Sequence, residues 1–450
     1  MMFDTAIKSN RVLTPSGFKK VVVLIRDGKI LEVVPELPQG DFELIDTGNL
    51  VLMPALVDPH VHINEPGRTE WEGFDTATRA AIAGGIGTLI DMPLNSSPVT
   101  TTVDALKKKI DAIVSMDAKT KIHCDCGFWG GVVPGNVNEI EGLAIAGVRG
   151  FKAFLTHSGI DDFPNVTESD LRYAMPVIAS LGLPILVHCE LESPNRIATN
   201  NPGSYPGYMM SRPNRWEHDA IALMIKLSRE FKCRTHIVHV SSAGSLELIK
   251  SAKESGIPLT AETAQHYLYF DADMISDSQT QFKCAPPIRD AENREDLWKG
   301  LEDGVLDFVA TDHSPAPPAL KETKSGDFQK AWGGISSLQF ALPALWTEAC
   351  KRNLSEENIC TWLCSQPTTI CGLSDRKGRI QKGFDADIIA WDPDKKFVVS
   401  SDIIHHRHKL TPYLGQELYG VVVQTWLHGK KVYADGKFLN LNEGRIILNN

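Results

Sequence analysis

The sequence predicts an α/β protein: a (β/α)8 barrel joined to a small β-sandwich domain that both chain ends build together. Three observations support this expectation. Eight short apolar segments follow one another through the middle of the chain. They alternate with stretches whose apolar residues recur at i, i+3 and i+4, and both flanks switch to hairpin-rich β sequence.

In the first flank, KKVVVLIRDGKILEVV reads as two β-rich runs around Asp27-Gly28, a dipeptide suited to a tight hairpin turn. Barrel strands are expected in PALVDPHVH, GTLIDMPL, KIHCDCGFW, GFKAFL, PILVHCE, THIVHVSS, LTAETAQHYLYF and DFVATDHSP. Helical stretches between them include TTVDALKKKIDAIVSM, ESDLRYAMPVIASLG and AGSLELIKSAKESG. Near the C-terminus, ADIIAWDP and GVVVQTWLHGKKVYADGKFL, with an Asp435-Gly436 turn, return to hairpins. Neither end alone has enough strands to close a core, so the two should pair. The expected division is 1–55 for the first part of the sandwich, 56–375 for the barrel, and 376–450 for the second part with a C-terminal segment.

A length of 450 residues suits two or three compact units, or one large barrel with a companion, and 42% hydrophobic residues supply a sizeable core. A net charge of −10 argues against nucleic acid or an anionic membrane as partner, since both need concentrated Lys and Arg. A small-molecule substrate is the better expectation. There is no apolar run of about 18 residues, and MMFDTAIKSNRVLTP lacks the unbroken apolar stretch of a secretory leader, so a soluble, cytoplasmic protein is expected. Nine scattered cysteines do not resemble a disulfide framework and fit a reducing compartment. Cys360 and Cys364, one helical turn apart, read as packed helix residues rather than a zinc clip.

Chemistry in such a barrel belongs at the C-terminal ends of the strands. His60 and His62, two apart at the end of the first strand, should point to the same side. One such pair alone fits an ordinary polar strand end. However, His188 ends the fifth strand, His239 the sixth and Asp312 the eighth, so four imidazoles and a carboxylate should converge. Lys152 ends the fourth strand. A free ammonium there could not coordinate a metal. Its plain reading is a lysine paired to an acid; its sharper one is an amine converted by carbon dioxide into a carbamate that bridges two metals. Two divalent ions would outweigh the carbamate, Asp312 and a bridging hydroxide, leaving a positive centre that polarises a carbonyl. Imidazole and oxygen ligands suit zinc, but also cobalt, nickel, manganese or iron.

These residues resemble the cyclic amidohydrolases, the family of dihydroorotases, hydantoinases and allantoinases. The resemblance runs through ValAspProHisValHis at 57–62, the lysine of GFKAFL, the HCE and VHVSS histidines and ThrAspHis at 311–313. It implies one ion held by His60, His62, carboxylated Lys152 and Asp312, and a second held by Lys152, His188 and His239. Dihydroorotases typically carry Arg two residues after the histidine pair; here Asn64 stands there and cannot supply a planar bidentate cation. GluProGlyArg at 65–68, TrpGluGly at 71–73, AspMetProLeuAsn at 91–95, SerGlyIleAspAspPhePro at 158–164 and TrpGlyGlyIle at 332–335 resemble the allantoinase branch. The implied reaction is attack by a bridging hydroxide on a ring carbonyl of allantoin, with Asp312 as general base and then general acid, giving allantoate.

The resemblance also implies substrate contacts at Asn95, His157 and the backbone around Ala285 and Gly333. His157 stands where hydantoinases usually carry a Tyr that supports the oxyanion, and Ala55 replaces a common Gly before the first strand. A homo-oligomer, dimer or tetramer, is the family habit. The nearest alternative is a hydantoinase or dihydropyrimidinase. A non-catalytic scaffold relative is a further one, against which stands the filling of every ligand position.

Three attractive motifs are set aside. GlyGlyIleGly at 84–87 is a helix-to-strand turn without dinucleotide-loop spacing. AspHisSer at 312–314 cannot form a triad, because adjacent strand residues point to opposite faces. HisHisArgHis at 405–408 should lie away from the barrel strands and be structural or interfacial.

Overall fold

The computed structural model describes residues 3–114, 121–193 and 200–449. Eight parallel strands form the barrel: Leu56–Val61, Ile86–Asp91, Asp125–Phe128, Phe151–Phe154, Ile185–His188, Thr235–Ile237, Leu259–Ala264 and Phe308–Ala310. Seven fall inside a segment read as a strand, and the second begins one residue earlier, at Ile86. Nearly every residue in them is buried, as expected of parallel strands covered on both faces. Pairing runs in sequence order; Gly130–Gly131 carries the ladder from the third strand to the fourth. A bridge between Val61 and His313 joins the first strand to the eighth, and the His62 amide donates to the His313 carbonyl at 2.8 Å.

LTAETAQHYLYF is a strand only as far as Ala264; Gln265–Tyr269 is a short helix. All of Gln265 to Phe270 is buried. Polar and apolar residues alike are buried there, so no alternation separates strand from buried helix. The helix read in TTVDALKKKIDAIVSM spans Val103–Ile113, with the Thr102 side chain accepting from the Ala105 amide; its last two expected residues, Ser115 and Met116, lie outside the described residues. Glu168–Ser180 begins at a reciprocal Thr167/Asp170 cap.

The chain ends share one nine-stranded sheet. Val51–Pro54 pairs antiparallel with Ile388–Val398, in the register Leu52 to Ala390, so the first and last parts of the chain meet in mid-sheet. Ile7, Val23 and Ile25 from one end and Ile388 and Trp426 from the other enclose a common apolar cluster. Asp27 and Gly28, φ 51° and 76°, and Asp435 and Gly436, φ 49° and 79°, make the two expected hairpin turns. His428-Gly429 makes a third that the sequence did not announce.

Where sheet and barrel meet, Lys377 lies buried among carboxylates. Its Nζ is 2.8 Å from Asp125 at the start of the third barrel strand, 3.3 Å from Asp385, and in contact with Asp387. His428 Nε2 lies 2.9 Å from the other Asp125 oxygen. Burial pulls the Asp125 carboxyl upward, but Lys377 and His428 hold it well below the usual range.

The segment 405–408 is not away from the barrel, as expected, but lies on the loop that follows the first strand. The Arg407 amide donates to Glu72 at 3.0 Å, His408 Nε2 to the Glu70 carbonyl at 2.8 Å, and the buried His406 ring lies 5.6 Å from that of His313. Glu72 is fully buried and needs donors, which this segment brings. Cys360 and Cys364 are packed helix residues, and all nine cysteines are free. No helix among the described residues is long and apolar enough to cross a membrane.

Candidate metal centre and its pocket

The strands deliver the expected ligands to one place. His60 lies within the first strand and His62 just beyond it, and both Nε2 atoms face one Asp312 oxygen, at 3.3 and 3.6 Å. His188, the last residue of the fifth strand, presents Nδ1 at 3.0 Å from Nε2 of His239. The rings of His60 and His239 are 5.4 Å apart. Donor atoms of His60, His239 and Asp312 all lie within 4.8 Å of one another. These spacings suit donors that share ions at about 2.0–2.2 Å. His239 and Asp312 lie two residues past their strands in left-handed backbone, φ 39° and 43°. That geometry costs about 1–2 kcal/mol each in a residue with a Cβ, and such strain gathers at functional sites.

In His60 and His188 the other ring nitrogen is held from behind by a carboxylate. His60 Nδ1 is 2.5 Å from Glu262, which also takes His236 at 3.1 Å. His188 Nε2 is 2.7 Å from Glu190, itself paired with Arg212 at 2.9 Å. Burial raises both carboxyls, but their cationic and imidazole partners hold each down at about 2. The carboxylates therefore fix which imidazole nitrogen stays free for a metal. Burial pushes His62 down to about 4 and, together with His188, His239 far below its ordinary value, so both rings are neutral as coordination requires.

Lys152 is the second residue of its four-residue strand, not the last as expected. It is fully buried, and its Nζ has no hydrogen-bond partner; His239 Nδ1 has none either. The acid partner of the plain reading is absent: among the described residues no carboxylate forms an ion pair with it. Burial lowers the amine to about 8. A buried amine of lowered basicity, without a hydrogen-bond partner among imidazoles and a carboxylate, fits a divalent metal site completed by modification of that amine.

The ligands open into a cavity of about 460 Å³. Its lining includes Asn95, His157, Ala285, Gly333 and Trp332. Asn95 Nδ2 lies 3.2 Å from His62 Nδ1 and its Oδ1 has no partner, so its amide orients a ligand as well as facing the cavity. His157 is at the rim, half exposed, 3.3 Å from Asp161. A methyl group added at Gly333 would stand 3.5 Å from Cβ of Ala285, which places these two segments against each other in one wall.

Sequence reasoning missed Glu262 and Glu190. A carboxylate in the middle of an expected barrel strand is the signal that could have found Glu262. It also missed how the distinctive loops meet. Arg68 reaches Asp162 at 3.3 Å and lies over Trp71, which packs edge-on against Trp332 at 4.8 Å. Asp125, Asp385, Asp387 and His428 also bring ligand-type atoms within 4.8 Å. There the Lys377 ammonium already supplies the positive charge.

The model of the amidohydrolase family matches residues 51–432. An allantoinase of Streptomyces avermitilis is 45% identical over 450 residues, covering 99% of this chain and 98% of that protein. One of Arabidopsis thaliana is 43% identical, covering 96% and 88%, and one of Saccharomyces cerevisiae 42%, covering 96% and 95%. Among solved structures, an L-hydantoinase (dihydropyrimidinase) from Arthrobacter aurescens superposes with a TM-score of 0.92 at 31% identity, covering 99% of this chain and 100% of its own. A dihydropyrimidinase from Brevibacillus agri gives 0.88 at 25%, covering 98% of each.

Proposed function

The chain belongs to the amidohydrolase family, and from that premise we propose that it is an allantoinase, opening the five-membered ring of allantoin to allantoate at a binuclear metal centre. The observation that carries this reading is the meeting of four imidazoles, Asp312 and the unpartnered Lys152 amine at the mouth of the barrel. His60, His62, Lys152 and Asp312 would hold one ion, and Lys152, His188 and His239 the other. Lys152 would serve both as its N6-carboxylate, formed from carbon dioxide, and its lowered basicity supports that, since only the neutral amine reacts. Zinc suits the donor set. Two such ions, when bound, polarise a carbonyl and lower the pKa of water.

The chain's own residues do the rest. Asp312 is held ionised by His60, His62 and His239 against burial, so a carboxylate oxygen is ready to take a proton from the attacking water and return it to the leaving ring nitrogen. Backbone groups of Ala285 and Gly333 orient the ring, with Asn95 and His157 as side-chain contacts. Trp71 and Trp332 at the rim shield the ring from bulk water. Nine unbridged cysteines support a reducing, cytoplasmic setting. Ile145 and Tyr173, exposed on packed neighbouring helices, support self-association as a dimer or tetramer. The strand pairing between Val51–Pro54 and the C-terminal flank supports the division into 1–55 with 376–450, and 56–375.

The test is turnover by protein reconstituted separately with zinc, cobalt and manganese in bicarbonate buffer. Allantoin is followed as allantoate, and hydantoin, dihydrouracil and dihydroorotate serve as parallel substrates. Metal-dependent turnover of allantoin far above the others is expected. Turnover confined to hydantoin or dihydrouracil would move the substrate, and none with any metal would sink the catalytic reading.

A further inference from the structure

We propose that Lys321 is a positioning residue for substrate recognition: its ammonium clasps the two backbone segments, Lys283–Ala285 and Trp332–Gly334, that form one wall of the pocket. The proposal rests on the reading above, in which the backbone of Ala285 and Gly333 orients the ring.

Lys321 is 4% exposed and does not line the cavity. Its Nζ donates to the carbonyls of Lys283 at 2.9 Å, Trp332 at 2.9 Å and Gly334 at 2.8 Å. One nitrogen thus meets three carbonyls, which favour its charged form against the burial and the neighbouring Lys283 that draw it down to about 7, and among the described residues no carboxylate pairs with it. A buried ammonium neutralised by no acid persists only where its carbonyl contacts offset desolvation, so the two segments are tied through one cation. A second strap runs alongside. Lys283 Nζ donates to the carbonyls of Gln329 at 3.3 Å and Ala331 at 2.5 Å.

The clasp has a direction. In a trans peptide the N–H points opposite to the C=O of the same plane. Holding the Trp332 carbonyl toward Lys321 therefore turns the Gly333 N–H away from it. In the facing segment, four side chains from three other places cap the carbonyls on either side of Ala285. Tyr208 takes that of Cys284 at 2.6 Å, Tyr267 that of Pro286 at 2.8 Å, Ser241 that of Pro287 at 2.6 Å and Tyr205 that of Ile288 at 2.8 Å. With Lys321 on Lys283, every carbonyl from 283 to 288 has a donor except that of Ala285, which lines the cavity and receives none among the described residues. The capped carbonyls fix the plane of the uncapped one. Lys321 then joins this rigid acceptor to the Gly333 segment opposite, and a ring amide must match both.

The test compares K321M and K321Q with wild type as metal-loaded enzymes, on whichever cyclic amide the wild type opens fastest. With the clasp lost, K321M should keep its metal content and a kcat within threefold of wild type. Its KM should rise about tenfold or more, the equivalent of about 1.4 kcal/mol of lost recognition. K321Q, which keeps two N–H donors on a shorter stem, should lie between. If K321M does not fold, the same split is read in K321Q as a smaller rise in KM at unchanged metal content. A KM within twofold of wild type in every folded variant, or a kcat that falls as far as KM rises, overturns the proposal. Failure of the wild type on allantoin would remove the substrate assignment alone, because the split is measured on the ring it does open.

Discussion

At the centre, holding metal and moving a proton are separable tasks, and two substitutions separate them. Asp312→Asn keeps an oxygen among the imidazoles but has no base to offer. It should retain most of its metal and lose about 10²–10⁴ in kcat. Lys152→Ala should lose metal and turnover together. Metal analysis beside kinetics checks both, and near-normal rates in Asp312→Asn would remove the proton-transfer role. The convergence of these ligands was legible because a strand repeats every two residues and a barrel gathers its strand ends, so His60 and His62 could be paired from spacing, and His188, His239 and Asp312 placed beside them from the ends of their strands. Lys152 was legible as an anomaly, although it lies inside its strand. Glu262 was not. It grips His60 from 202 positions away, and no local pattern connects them.

Among the elements, the segment that carries 405–408 shows how a long-range contact overrides a local reading. Its histidines looked like a detached cluster. Instead Arg407 between them donates to Glu72, His408 reaches the Glu70 carbonyl, and His406 lies buried with both ring nitrogens unpartnered. Burial pushes this imidazole down to about 3 despite the attraction of Glu72, with His313 and Lys409 adding to the fall. An imidazole lowered in the fold favours folding above its ordinary value of about 6.5 and loses that contribution as pH falls toward 3. Taking the wild type from pH 7 to pH 5 should therefore cost roughly 1–2 kcal/mol at this residue. His406→Phe, which has no proton to gain, should lose about 1–2 °C less in Tm over that interval. Equal losses would place the acid sensitivity elsewhere. The strand read through 259–270 failed for a related reason, since full burial erases the alternation that tells strand from helix.

Across the whole molecule, the pairing of the two chain ends was foreseeable from their hairpin style, whereas the fastening of sheet to barrel was not. It depends on Lys377, Asp125, Asp385, Asp387 and His428, ordinary polar residues until the fold collects them. Lys377→Met would take the buried cation from Asp125 and Asp387 and leave them only His428 as a side-chain partner, while Asp385 keeps Arg376, a loss of about 3–5 kcal/mol. Tm should fall clearly while specific activity of the folded fraction, measured at low temperature, stays near wild type. An unchanged Tm would show that the carboxylates find another partner. The mid-sheet pairing also bears on how the protein is made. Val51–Pro54 leaves the ribosome more than three hundred residues before Ile388–Val398, its antiparallel neighbour. At about 5–20 residues per second, that strand waits tens of seconds with one edge unpaired, while the barrel between is still being synthesised. A nascent chain stalled before residue 388 should therefore present an open β-edge that a holding chaperone can grip, and release should coincide with arrival of the last strands.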